Sequence, residues 1–196
     1  LFDLDKLDNI SKNYISKMSA QELYEKYLLW AKTYDEHVYQ LIEKYKEDTI
    51  SFLNIERESK KPRKDYENYS SIFSKTWYLY EEEWNKPKTY HFVKITDKEE
   101  ITKIMSNYLG SVYKEEDSEE VWFEKIKKLG EEMGYAANMK EYKENPENFK
   151  GNIADFTTAI RVVLTTSNMT PNLYDIMKIF GKEKMKKRFN DFIAND

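Results

Sequence analysis

Apolar residues recur at spacings of three and four along most of this chain. The sets Leu4, Leu7, Ile10, Tyr14, Ile15; Leu23, Tyr27, Leu28, Ala31; and Val38, Leu41, Ile42, Tyr45 each fall on one face of a helix, as do Ile101, Ile104, Met105, Leu109 and Val121, Trp122, Ile126, Leu129. Start signals sit ahead of several of these sets. Ser19-Ala20-Gln21-Glu22 and Thr96-Asp97-Lys98-Glu99 read as capping boxes, and Asp35 and Asp117 as caps of further helices. Tyr66, Tyr69, Phe73, Trp77, Tyr80 and Trp84 continue the helical spacing, which predicts a core stripe rather than a base-stacking platform. Pro62 breaks the pattern, and Lys86-Pro87-Lys88 breaks it again. Tyr90-His91-Phe92-Val93-Lys94-Ile95 is the one strand-like run, and polar Glu141 to Asn152, with Pro146 and Gly151, reads as a loop.

The closing stretch is the most informative. From Ile153 the pattern predicts two apolar helices joined by a polar turn, with Ile160, Val163 and Leu164 on one face and Leu173, Ile176 and Phe180 on the next. Thr170 is expected as the second helix's cap, Pro171 as its first residue and Gly181 as its stop. Arg161 is the exception: a guanidinium inside an otherwise uncharged run from Phe156 to Thr170. Such a group needs a carboxylate, for which Asp155 and Asp175 are the candidates, or it faces something anionic or planar.

Composition narrows the class. Hydrophobic residues make up 40% and charged residues 35%, with five Gly and four Pro, which favours a helical globular chain. Zero Cys excludes a disulfide scaffold and cysteine-ligated metal, and fits a reducing cytoplasm; His37 and His91 are too far apart in sequence to read as a metal cluster. No apolar run approaches the roughly 20 residues that span a membrane. The chain opens at Leu1 without Met and is expected to be a fragment. Net charge is −4, but Arg57, Lys60, Lys61, Arg63 and Lys64 cluster, as do Lys178, Lys182, Lys184, Lys186, Lys187 and Arg188. Such clusters are usually solvated helix faces. There is no glycine-rich phosphate loop, nucleophile elbow or His-Glu-x-x-His. Adjacent pairs such as Glu119/Glu120 and Glu131/Glu132 diverge by about 100° on a helix, which suits solvent better than acid–base work.

Ala159-Ile160-Arg161-Val162-Val163-Leu164-Thr165, Thr170-Pro171-Asn172-Leu173 and the helix ending at Gly181-Lys182-Glu183 resemble the C-terminal anticodon-binding end of bacterial glutamyl-tRNA synthetases. Phe2-Asp3-Leu4-Asp5-Lys6-Leu7, Asn13-Tyr14-Ile15 and Met18-Ser19-Ala20-Gln21-Glu22-Leu23 resemble the lead into that half, and Glu56-Arg57-Glu58-Ser59-Lys60 its Arg-containing helix. The chain departs from the family at Ala159 and at Thr166, where Pro and Gly are usual.

The resemblance implies an all-α fold of two small helical bundles, residues 18–90 and 91–196, with 1–17 as the tail of a stem-contact segment. It implies a monomer that recognises a tRNA anticodon. Arg161, Thr170, Pro171 and Leu173 would face the second and third anticodon positions and Arg57 the first; Lys60, Lys61, Arg63 and Lys64 are candidates for the RNA backbone. ATP, Mg and ligation of glutamate belong to a catalytic domain whose motifs are absent here, Lys17-Met18-Ser19 being only a partial lookalike. Alternatives are a helical interaction module with no RNA role, or the same part of a synthetase charging both glutamate and glutamine tRNAs.

Overall fold

The computed structural model describes residues 3–195 and forms two compact units, Leu1–Pro87 and Lys88–Asp196. Leu1 and Phe2, the latter part of the opening motif, lie outside the described residues. The architecture is all-α: among the described residues there is no strand, and the sole bridge joins Ala136 to Asn152. No helix among them is long and apolar enough to cross a membrane.

The first unit contains α1 (Leu4–Ser16), α2 (Ala20–Tyr34), α3 (Glu36–Lys44), α4 (Lys46–Asn54), α5 (Ser70–Thr76), a 3₁₀ turn (Trp77–Leu79) and α6 (Glu81–Trp84). Asp3, Ser19 and Asp35 cap the first three helices, each accepting the backbone N–H three residues on. Helix α2 packs on α3 and α4, and Leu23, Tyr27, Ala31, Ile42, Phe52 and Leu53 are buried there, with Leu79, Tyr80 and Trp84 also in the core. Of the aromatic stripe, Tyr66, Tyr80 and Trp84 are buried while Tyr69, Phe73 and Trp77 are half-buried, and the stripe is not on one helix: Tyr66 precedes α5, and the 3₁₀ turn breaks the run before Tyr80. Helix α1 forms as its pattern predicts yet leaves Leu4, Leu7, Ile10 and Tyr14 exposed, burying only Ile15 and Ser16.

The second unit contains α7 (Lys98–Asn107), continued by a π turn (Tyr108–Val112), then α8 (Glu119–Glu132), α9 (Met139–Glu144), a 3₁₀ turn (Pro146–Asn148), α10 (Ile153–Thr165) and α11 (Leu173–Ala194). Helix α10 lies at its centre against α7, α8 and α11, which explains a sequence almost free of charge: Phe156, Ile160, Val162, Val163 and Leu164 are essentially inaccessible. Asn152 caps it in a full capping box with Asp155.

Several expectations give way here. Tyr90 to Ile95 pairs with no strand; Tyr90 and Phe92 instead lay their rings on Phe192, and van der Waals contact replaces the ladder. Asp97 rather than Thr96 caps α7, and Ser118 rather than Asp117 caps α8, because the Asp117 carboxylate binds Lys125 at 2.6 Å. The 141–152 loop carries the end of α9 and a 3₁₀ turn. Thr170 does not cap α11. Asn172 does, and Thr170 turns to Arg161. Gly181 interrupts α11 with non-helical angles, φ 65° and ψ 171°, and helix resumes after it.

Candidate functional site

Helix α10 delivers Arg161 to its own C-terminal turn, where the chain reverses through Thr166 (φ 61°) into the segment leading to α11. The Arg161 Nη1 donates to the Thr170 hydroxyl, to the Thr170 carbonyl at 3.4 Å and to the Pro171 carbonyl at 3.0 Å. Three oxygens on one nitrogen fix the guanidinium plane against the turn. Thr165 Oγ1 donates to the Arg161 carbonyl at 2.8 Å, and the Ser167 N–H donates to Thr165 Oγ1 at 3.2 Å, so the turn is braced from both sides. Asp155 serves the Asn152 cap and makes no ion pair with Arg161.

Beside Arg161 opens a cleft of about 450 Å³, lined also by Leu173, Trp122, Phe123, Thr157, Asn172 and the Glu119–Glu120 pair. That volume lies in the range of sites that hold small molecules or single bases, roughly 300–1,000 Å³. Its walls are held in place by identifiable contacts. Trp122 Nε1 donates to the buried Tyr108 hydroxyl at 3.0 Å, and the Trp122 ring leans on Tyr174 and Phe123. Burial pushes the Tyr108 hydroxyl far above its ordinary pKa, so it remains a neutral acceptor for that indole. The starts of α8 and α11 are tied together three times. Tyr174 Oη donates to the Asp117 carbonyl at 2.7 Å, Lys178 to the Glu115 carbonyl, and Asn172 Nδ2 to Glu119 Oε1 at 2.6 Å. Asn172 uses its other side-chain atom, Oδ1, to cap α11.

Arg161, Thr170, Pro171 and Leu173 thus converge, as their spacing suggests. Arg57 lies in the other unit and not on a helix: α4 ends at Asn54, and Arg57 sits in the turn after Glu56, itself at φ 57°. Its Nε donates to the Leu53 carbonyl at 2.7 Å, and Nη1 to the carbonyls of Ile15 (2.9 Å) and Met18 (3.1 Å), closing the α1–α2 junction. Nη2 bonds no described residue and is not sealed from solvent. Lys60, Lys61 and Lys64 are exposed and make no ion pair among the described residues. Arg63 is already chelated by Asp65, at 2.7 and 2.9 Å, and reaches Glu56.

The second basic cluster is largely engaged within its own helix. Lys184 and Arg188 lie over the Phe180 ring, Lys186 pairs with Glu183, and Lys187 with Asp191. Sequence pattern missed Glu119, Asn172, Thr157 and the aromatic walls as site residues. Trp122 was legible only as core, and Glu119 only as a solvated carboxylate.

A model of the anticodon binding domain family matches residues 22–193. The glutamate–tRNA ligase of Acetivibrio thermocellus is 40% identical over 188 residues, 96% of this chain and 34% of that protein. Those of Clostridium perfringens and Clostridium beijerinckii are 36% and 35% identical over 196 and 195 residues, 99% and 98% of this chain and 35% of each relative. The chain therefore spans about a third of the length of the curated relatives it matches. The family model covers most of the chain, and the chain belongs to the anticodon binding domain family.

Proposed function

We propose that this chain recognises the anticodon of a glutamate transfer RNA on behalf of a glutamate–tRNA ligase. One observation carries the reading: a guanidinium fixed by Thr170 and Pro171 at the mouth of an aromatic-walled cleft. Anticodon bases are single-stranded and can leave their stack, so a protein can hold their faces on apolar rings and their edges on polar groups. Arg161, Thr170, Pro171 and Leu173 take the second and third anticodon letters. Arg57 serves the first through Nη2, with Lys60, Lys61 and Lys64 on the flanking phosphates. Arg63 contributes less, because Asp65 and Glu56 already neutralise it. ATP, Mg and the ligation chemistry fall to the remaining two-thirds of the parent, a monomer of the cytoplasm.

Footprinting tests this. With the chain bound, a glutamate transfer RNA should be protected at its anticodon loop and remain cleavable at its acceptor end. Protection elsewhere, or none at concentrations that saturate binding, would overturn the reading.

A further inference from the structure

The cleft holds two carboxylates at its rim, which is an unusual provision for a polyanionic ligand. Glu119 and Glu120 begin α8 beside Arg161, so a phosphate entering here would meet negative charge as well as positive. A neutral planar group suits the site better. Trp122, Phe123 and Leu173 offer it apolar surface, and Glu119 offers an acceptor. Glu119 is also positioned rather than loose. Its Oε1 is held by Asn172 Nδ2 at 2.6 Å, and its Oε2 meets no donor among the described residues.

Resting on the anticodon reading above, we propose that Glu119 is a specificity-determining residue, accepting a hydrogen bond from the exocyclic amine of a base laid against Trp122, Phe123 and Leu173 in this cleft. A carboxylate only accepts, so it favours cytosine, with its N4 amine, and repels uracil, whose O4 stands at the same place. Glutamate triplets begin with G and then A, so the second and third anticodon letters are U and C. Only the third carries an amine at its pairing edge. Glu119 therefore adds its acceptor at the third letter, beside the Arg161, Thr170, Pro171 and Leu173 set that takes the second and third.

Binding of the 196-residue chain to anticodon stem-loop RNAs tests this, with the third letter as cytosine, uracil or 2-pyrimidinone, which keeps the ring acceptors and lacks the amine. The wild-type chain should bind the cytosine RNA on the order of tenfold more tightly than either variant. In Glu119→Gln, whose side chain retains the Asn172 contact and gains a donor, the ratio of cytosine to uracil should fall towards one. The response to changing the second letter should stay as in wild type. An unchanged cytosine-to-uracil ratio in Glu119→Gln would overturn the assignment. Equal tightening on every RNA would overturn it too, since Glu119 would then only repel phosphate. Failure of the wild-type chain to bind any stem-loop would instead overturn the anticodon reading itself, and this inference with it.

Discussion

Arg161 illustrates what one side chain can say before a fold is known. A cation within an uncharged, helically spaced run has few physical excuses, and its neighbours Thr170 and Pro171 are close enough in sequence to be considered with it. Its opposite wall is not. Glu119 and Asn172 touch at 2.6 Å but lie 53 positions apart, and nothing in local spacing links them. Glu67 shows the same limit in the first unit. Its carboxylate binds Lys12 at 3.0 Å and Lys75 at 3.1 Å, joining α1 to α5. The Lys12 ammonium, more than any other group, holds its pKa down to about 2 from an ordinary 4.5. A carboxyl depressed in the folded state stabilises above its unfolded pKa and loses that contribution as pH falls through the folded value. Thermal unfolding should therefore show wild type losing stability between about pH 4.5 and pH 2. Glu67→Gln should start lower at pH 7 and decline less over that window. Parallel acid limbs would show that Glu67 does not titrate in this way.

Among elements, helices were legible and their ends less so. Periodicity places α2, α3, α7 and α8 because their buried faces repeat at 3.6 residues, and it places α1 although most of that helix's apolar face stays exposed. Caps shift by a residue or two when a side chain finds a stronger partner, as Asp117 does in Lys125 and Thr170 in Arg161. Two turn positions carry opposite backbone burdens. Gly181 occupies φ 65°, ψ 171°, a region essentially reserved for glycine, although a Cβ there would meet nothing within 4 Å. Thr166 sits at φ 61°, where a β-branched side chain is strained. Gly181→Ala should cost about 1–3 kcal/mol, all of it backbone strain. Thr166→Gly should gain up to about 1 kcal/mol, the relief of left-handed strain outweighing glycine's extra chain entropy. Urea midpoints moving in opposite directions would bear this out; a stable Gly181→Ala would show that α11 can run straight through.

For the molecule as a whole, a net charge of −4 disfavours a generic nucleic-acid coat and puts the weight on where the charges lie. On the proposed reading, the first unit would supply the exposed Lys60, Lys61 and Lys64, and the second the cleft beside Arg161. The sequence carries the class, the helices and Arg161 on its face. The cleft depends on α8, α10 and α11 coming together, which only packing achieves. The most direct measurement compares the affinity of wild type and Arg161→Ala for a glutamate transfer RNA and for the same RNA with its anticodon replaced, at two salt concentrations. If Arg161 reads a base, the substitution costs about 1–3 kcal/mol on the native anticodon, little on the replaced one, and leaves the salt slope unchanged. Equal weakening of both RNAs with a shallower slope would make Arg161 a phosphate contact and contradict the central claim.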